Sequence, residues 1–271
     1  MDWSRIKSIF IIAFLVLDLF LVSQLLTKHQ TSQYEVKSDV SLEENLKADG
    51  IVVNGELPKE AINDQYMSAN TKVFSEDDIK DLKHQRVALD GDAIIHSELK
   101  EPIPIPITEK VDFSELNQFI KENVLAGSQY DYWNFDKEAG KITYYQKFDD
   151  KVMFLNQSAY LDFYVNESNE VYAYDQTMLE SIEPINDKDE VLTAFRAIEA
   201  LYKKGVLKRN STILRTELGY YTLVSMEATQ VLTPTWHFVV EHDGDQENML
   251  VHAFDGQVVQ ETSNPDKNKM E

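Results

Sequence analysis

The sequence contains no cysteine, only nine glycines in 271 residues, and far fewer basic than acidic side chains. Without cysteine, disulfide bonds, thiol chemistry and cysteine-based zinc sites are excluded. The chain holds no P-loop, no glycine-rich dinucleotide motif, no nucleophile elbow and no His-Glu-x-x-His motif. With 26 Lys and Arg against 47 Asp and Glu, its net charge of −21 disfavours nucleic acid as a ligand. We therefore predict a non-enzymatic protein with no cofactor, no metal and no nucleic-acid partner.

What the sequence does have is one long apolar segment at its start, residues 6–26, with the carboxylate of Asp18 in its middle. A helix of this length spans about 30 Å, the thickness of the hydrocarbon core of a bilayer. The segment therefore predicts a single transmembrane helix. A cleaved signal peptide is the alternative, but the apolar core is long for one and no small-x-small cleavage site follows it.

The charges around this segment predict its orientation. Arg5 and Lys7 favour a cytoplasmic N-terminus, and long domains that follow such a helix translocate largely regardless of their charge. We expect a single-pass protein of the cell membrane, with residues 1–5 as a cytoplasmic stub and the bulk outside the cell. Whatever it signals to the cytoplasm must then pass through another membrane protein.

Asp18 is the unusual residue of the predicted span. A carboxyl group at mid-membrane costs about 2.5–3.5 kcal/mol on insertion scales, so such residues tend to face a partner. We predict that one stripe of this helix packs against the helix of another chain. Its contact residues are predicted to be Phe14, Asp18, Leu21 and Leu25. The alternative is a protonated Asp18, or a helix shifted so that this residue lies near water.

The rest of the chain suits a folded α+β ectodomain, since 43% of all residues are apolar and 11% aromatic. Three prolines at alternate positions within residues 101–107 predict an extended segment outside any helix or sheet, which marks a subdomain boundary. The predicted division is a stalk at 27–40, an N-terminal subdomain at 41–107, α+β units at 108–182 and 183–262, and a disordered tail at 263–271.

These two α+β units repeat one sequence pattern. Residues 112–126 and 187–204 have the apolar periodicity of amphipathic helices, and a glycine, Gly127 or Gly205, follows each of them. A tyrosine pair and two strand-like segments come after each helix at near-constant offsets. We predict a duplicated unit of one helix packed on an antiparallel sheet, with chance alignment of aromatic residues as the alternative.

Metal and glycosidase chemistry are weakly supported. If the last hairpin turns around Gly244 and Asp245, His237 and His252 lie opposite each other, as two metal ligands do. No third ligand has a diagnostic spacing, so we interpret both histidines as structural. Carboxylate pairs such as Asp149-Asp150, or Glu98 with Glu101, suit glycosidase chemistry, but an acidic chain offers many such pairs.

Three segments carry a family resemblance. They are residues 1–18 (MDWSRIKSIFIIAFLVLD), residues 42–51 (LEENLKADGI) and residues 236–259, which begin with Trp-His-Phe-Val-Val. The Met-Asp-Trp start and the Leu-Asp pair within the apolar segment are the most specific parts. Together they resemble the YycI (WalI) regulatory proteins of Gram-positive bacteria, over nearly the whole chain.

That resemblance implies a function and partners. It implies a single-pass, non-enzymatic regulator that acts with a related protein, YycH, on the sensor histidine kinase YycG (WalK), which controls cell-wall metabolism. It does not imply whether the kinase is activated or inhibited. The alternative functions are an anchored envelope enzyme or wall-polymer-binding protein, and a chaperone-like or protease-inhibiting module suggested by fold analogy alone.

Overall fold

In a computed structural model of the chain, the described residues are Lys7, Ile11, 14–22, 38–58, 61–107, 111–225 and 229–259. They divide into two compact units, on either side of Val52. The predicted tail, the predicted stub and most of the predicted stalk lie outside the described residues. Within the described part of the chain, no helix combines the length and the apolar character needed to cross a bilayer.

The first unit contains two helices. Residues 14–22 form helix α1, and Ser38–Ala48 form helix α2. Gly50 follows the end of α2 and takes a φ of +69°. The amide of Ile51 then bonds to the carbonyl of Leu46 at 2.8 Å, and both side chains are buried. This is a Schellman end with its apolar contact.

The second unit is mostly sheet, which makes the protein a sheet-dominated α+β fold. Its helices are α3 (Glu76–Ile79), α4 (Ser114–Asn123), α5 (Ala194–Lys203) and a 3₁₀ turn at Gly127–Gln129. The strands, beginning with one at the unit boundary, are β1 (Val52–Val53), β2 (Asn63–Asp64), β3 (Met67–Thr71), β4 (Gln85–Asp90), β5 (Ile94–Pro104), β6 (Tyr130–Asp136), β7 (Lys141–Phe148), β8 (Lys151–Phe154), β9 (Tyr160–Val165), β10 (Glu170–Gln176), β11 (Leu179–Pro184), β12 (Asp189–Glu190), β13 (Thr212–Ser225), β14 (Thr229–His242), β15 (Asp245–His252) and β16 (Val258–Val259).

Ten strands follow one hydrogen-bonded path, in the order β11-β3-β14-β13-β8-β7-β9-β10-β5-β4. Strand β15 adds to β14, β16 adds to β15, and β6 adds to β7. Strand β8 joins two parts of this path, since it pairs antiparallel with β7 and parallel with β13. We call α4 with β4–β7, β9 and β10 the first half, and α5 with β3, β11 and β13–β16 the second half.

Each half has a helix followed by three antiparallel strands in chain order. After α4 these are β7, β9 and β10, and after α5 they are β13, β14 and β15. The tyrosine pairs of the sequence pattern lie on the first strand of each set. Strands from residues 41–107 pair with both sets, β5 with β10 and β3 with β14. The duplication and the domain limits stay predictions.

The core of the first half is a cluster of apolar side chains under α4. Leu116 and Ile120 of α4 pack there with Ile142, Phe163 and strand residues from β5 and β10. In the second half, α5 contacts β15, and its apolar face is buried. A smaller cluster around Met153 and Leu232 fills the space beside β8. The alternation of buried and exposed positions along the strands produces these cores.

The prediction that a glycine ends each of the two helices is confirmed for Gly205 and wrong for Gly127. Helix α5 begins at Ala194, seven residues after the expected start, but ends as expected because Gly205 takes a φ of +72°. Helix α4 ends at Asn123, and the left-handed residue there is Ala126, with a φ of +49°. Gly127 has a different role, since a Cβ at that position would lie 1.9 Å from the carbonyl oxygen of Ile120.

The expectation that residues 101–107 lie outside the sheet is wrong as far as Pro104. Strand β5 continues through Pro102 to Pro104 along β10. Strand β4 pairs only as far as Leu99, so no amide donor is needed on that side. On the other side Ile103 pairs with Val171 and Glu98 with Ala173, so Pro102 falls in the irregular stretch between these two pairs. Prolines are tolerated at such edges and bulges.

Candidate functional site

Helix α1 presents the surface that the sequence singled out. Ile11, Phe14, Leu15 and Asp18 line a shallow, open depression on one side of it. Their spacing of three and four positions places them on one helix face. Leu21 follows one turn later, in line with Phe14 and Asp18, whereas Leu25 lies outside the described residues. The structure therefore places Phe14 and Asp18 on one helix face. That this face contacts the helix of another chain stays a prediction.

The apolar side chains of α1 are largely exposed. Phe14 is 57% exposed and Leu21 54%, and each apolar residue from 14 to 22 exposes about half of its surface or more. A contiguous apolar surface of this kind marks a protein–protein or membrane contact. Helix α1 is therefore a candidate interaction surface, with one carboxylate on its otherwise apolar face.

The histidines of the last hairpin do not face each other. The turn residues are Asp243 and Gly244, with φ values of +54° and +89°, close to the turn expected. In the resulting register His237 is opposite Leu250 and His252 is opposite Thr235. The prediction that the two histidines lie opposite each other is therefore wrong by two residues of register. In the part of the chain that the structure describes, no three side chains of metal-ligand type come together.

His237 instead occupies a fully buried polar site. Its Nδ1 lies 2.7 Å from Oε1 of Glu217 on β13, and its Nε2 lies 2.9 Å from Oδ1 of Asn248 on β15. The His237 side chain is 0% exposed, whereas that of Glu217 is 33% exposed. Both ring nitrogens thus face oxygen acceptors. An imidazole that donates to both carries two N–H groups and a positive charge.

Aromatic rings enclose the same imidazole. The ring centroid of Trp133 on β6 lies 4.6 Å from that of His237, and the centroid of Phe154 on β8 lies 4.9 Å away. Trp133 is the extra residue of a bulge between Tyr132 and Asn134. Bulges commonly re-aim one side chain, and here the indole of the first half reaches β14 of the second half.

Glu217 is the charged neighbour of this imidazole. Burial alone raises the pKa of a carboxyl group. The hydrogen bond from His237, the charge of Arg215 and the charge of His237 outweigh burial, so the pKa of Glu217 lies below its usual value. Nε of Arg215 is 3.7 Å from Oε1 of Glu217. Glu217 is therefore held as a carboxylate against the buried ring.

His252 is in a different environment. It is 8% exposed, its Nε2 has no hydrogen-bond partner, and its ring lies 5.9 Å from that of Tyr221. Burial lowers its pKa, while Asp255 acts in the opposite direction. This histidine is suited to the neutral form, as expected for a core residue.

The first half carries a second histidine–carboxylate pair on its open sheet face. Nδ1 of His96 lies 2.6 Å from Oδ1 of Asp175, and the Tyr164 hydroxyl donates to the other oxygen of Asp175 at 2.6 Å. On the next strand Asp162 accepts hydrogen bonds from Thr143 and Lys141. These carboxylates are satisfied by neighbours within the sheet, so the arrangement is a structural network.

The suggested glycosidase pairs have structural positions. Asp149 and Asp150 form the turn between β7 and β8, with φ values of +48° and +60°. Glu98 lies on β5, and Glu101 belongs to the bulged stretch that follows it. All four carboxylate side chains are exposed.

Sequence reasoning missed Trp133, Glu217 and Asn248 as partners of His237. One usable signal was Gly219 in the middle of β13, since a Cβ there would lie 2.4 Å from a ring carbon of Phe154. A glycine inside a strand often marks such a close approach. The sequence alone does not say which ring approaches.

Comparisons with known proteins give one family and, among solved structures, distant matches that include the following two. The chain aligns with a crystal structure of an uncharacterized protein from Eubacterium rectale at 10% identity and a TM-score of 0.41, covering 78% of this chain and 91% of the other. It aligns with the YpeB C-terminal domain of Bacillus megaterium at 10% identity and a TM-score of 0.40, covering 69% and 96%. No curated protein matches it. The model of the YycI protein family matches residues 29–254, so this chain belongs to the YycI family.

Proposed function

We propose that this protein is a non-enzymatic accessory regulator of the YycG/WalK two-component system. Family membership over residues 29–254 is the observation that carries the proposal, because that family suggests a regulator of this system. A regulatory accessory family is also consistent with the absence of the common catalytic motifs from the sequence. The finer parts of the proposal are the partners, the membrane anchor and the mechanism.

In this proposal residues 6–26 anchor the chain in the cell membrane, with the N-terminus in the cytoplasm and residues 27–271 outside. The apolar surface of α1 supports the anchor, since side chains such as Leu19 and Phe20 are 62% and 58% exposed. Lipid and partner helices are the surroundings in which such exposure carries no hydrophobic penalty. The basic residues Arg5 and Lys7 support the orientation.

The face that contains Phe14, Asp18 and Leu21 is proposed to contact transmembrane helices of the kinase and of a YycH-type co-regulator. Asp18 gives this face a polar group where the rest is apolar. Interhelical hydrogen bonds in membranes are worth about 1–2 kcal/mol in model peptides. Leu25 extends the same stripe in the sequence.

The ectodomain is proposed to pair with the YycH-type partner outside the membrane, in a heterodimer or a larger complex. Its predicted duplication supplies two sheet halves, each with a helix, as surfaces for such pairing. Regulation then follows from differential binding. A complex that binds one kinase conformation more tightly shifts the kinase equilibrium by that difference in binding free energy and by no more.

Co-purification from membranes tests the transmembrane part. The full chain is tagged and expressed with the kinase, and the kinase recovered per tagged chain is measured. We expect Asp18→Leu to lower recovery about fivefold, which corresponds to roughly 1 kcal/mol. Asp18→Asn keeps hydrogen-bonding capacity and should retain most of the recovery. Val16→Leu, on the opposite side of α1, is the matched control and should change nothing.

Three outcomes count against the proposal. Equal recovery with wild type and Asp18→Leu contradicts the role of Asp18. Recovery of wall polysaccharide without any kinase supports the alternative function, an anchored wall-polymer-binding protein or envelope enzyme. Deletion of residues 6–26 should also uncouple the ectodomain from kinase output, so full regulation by an unanchored ectodomain contradicts the anchor.

A further inference from the structure

We propose that His237 is a proton-controlled latch that holds the first half of the ectodomain against the second. In the latched state the imidazole carries both N–H groups, donates to Glu217 and Asn248, and presents a charged ring to Trp133. Loss of one proton removes one of these donors and the charge. The site thus binds a proton, and protonation controls how tightly β6 packs against β14.

The hydrogen-bond geometry is the first support. A neutral imidazole has one donor and one acceptor nitrogen, so it cannot donate to two oxygens at once. With Glu217 at 2.7 Å and the Asn248 oxygen at 2.9 Å, the neutral ring requires Asn248 to turn its amide. The charged ring satisfies both contacts without rearrangement. Because the ring is fully buried, water does not replace a lost partner.

The surrounding elements are the second support. Strand β13 contributes Glu217, with Arg215 behind it, and β15 contributes the neutral Asn248. Strands β6 and β8 contribute the rings of Trp133 and Phe154. A cation close to an indole face is attracted to it by about 0.5–2 kcal/mol, depending on solvation. That attraction is lost when the ring becomes neutral.

The position of Trp133 connects protonation to the fold. It is the bulge residue of β6, and β6 pairs only with β7 among the strands that the structure describes. Its indole also contacts Tyr145 of its own half at 5.4 Å. The contact with His237 therefore ties β6 to the second half. A titration at His237 changes a contact between the halves, whereas a titration at a surface histidine does not.

The test uses the full chain in detergent micelles, between pH 5 and 8.5. The first readout is the fluorescence of Trp133, obtained as the difference between wild type and Trp133→Phe. A charged imidazole quenches a stacked indole, so we expect this emission to increase in one step as pH rises.

The second readout is amide hydrogen exchange in β6, corrected for the intrinsic effect of pH. Above the midpoint of the fluorescence step, we expect exchange in residues 130–136 to be at least threefold faster than below it. His237→Gln should abolish both the step and the pH dependence of exchange. Glu217→Gln changes a partly exposed residue and spares the core. It should lower the midpoint pH of the fluorescence step by about one unit.

His96→Gln is the matched control, because His96 also bonds to a carboxylate but touches no tryptophan. It should leave both readouts unchanged. The latch is refuted by a flat Trp133 emission across the pH range, or by an identical step in His237→Gln. It is also refuted if the fluorescence step occurs while exchange in β6 stays constant, since the imidazole then titrates without loosening the contact.

Discussion

The two halves of the ectodomain each contain a histidine–carboxylate pair, but the pairs lie in opposite surroundings. His96 and Asp175 are 2.6 Å apart on an open sheet face, where the histidine side chain is 44% exposed. His237 and Glu217 are 2.7 Å apart, with the histidine fully buried under aromatic rings. Similar contact lengths therefore correspond to different energetic roles. Water replaces either partner of the first pair at little cost, but it cannot reach His237 in the second.

The largest effect is expected from removing the ring that covers the buried pair. Trp133→Ala deletes the indole over His237 and opens a cavity between β6 and β14. Full truncation of a buried tryptophan costs about 3–5 kcal/mol, and Trp133 is only half-buried, so we expect a loss of about 3 kcal/mol. Urea unfolding of the full chain in micelles, followed by circular dichroism, measures it.

The control for this change is Tyr172→Ala in the first half, where the tyrosine is 46% exposed. It should cost less than about 1 kcal/mol, since little apolar surface is lost from the core. Equal losses for the two variants would show that the indole of Trp133 does not contribute to the packing between the halves.

Removal of the buried imidazole should have the next largest effect. His237→Gln keeps a polar side chain of similar size but removes the imidazole that bonds to Glu217. Breaking a fully buried pair costs about 3–5 kcal/mol, and the partial exposure of Glu217 should reduce the loss to about 2 kcal/mol. Urea unfolding at pH 6 measures this loss. A loss below about 0.5 kcal/mol would mean that burial adds nothing to this pair.

The change in unfolding free energy at acidic pH provides a further test. The pKa of Glu217 is lower in the folded protein than its usual value, so its contribution to stability is present above about pH 4.5. That contribution disappears as pH falls through the lowered pKa. Glu217→Gln lacks it at every pH, so the difference in unfolding free energy between wild type and variant should shrink towards pH 3.

Glu98→Gln is the control for this profile, because Glu98 is an exposed carboxylate on β5 of the first half. The difference in unfolding free energy between Glu98→Gln and wild type should stay small from pH 7 to pH 3. If Glu217→Gln gives an equally flat difference, the hydrogen bond from His237 and the charge of Arg215 do not stabilise the folded state through Glu217.

The contrast between the two pairs also shows what the sequence can and cannot specify. Local signals were reliable where one segment determines its own conformation. Gly205, which the sequence marks as the end of a helix, ends α5 through a left-handed residue. The turn at Asp243 and Gly244 is equally local. The α+β character followed from the alternation of helical and strand-like periodicities.

Long-range pairing was not accessible in the same way. The two halves meet through Trp133 and His237, and this contact depends on a bulge in β6 that no residue type announces. The course of β5 past Pro102 depends on where β4 stops, which is a property of the sheet. The candidate contact face of α1 was readable because helical spacing alone places Phe14 and Asp18 together.

The smallest effect is expected at the exposed pair, and this prediction sharpens the comparison most. His96→Gln removes the partner of Asp175, but the Tyr164 hydroxyl still donates to that carboxylate at 2.6 Å. Surface ion pairs are worth about 0.2–1 kcal/mol, so we expect a loss of about 0.5 kcal/mol at pH 6 by urea unfolding. In 1 M salt, where the screening length falls to about 3 Å, this loss should nearly vanish. The loss caused by His237→Gln should persist under the same conditions, because a buried pair is shielded from mobile ions. A salt-independent loss at His96 as large as that at His237 would mean that burial does not distinguish the two pairs.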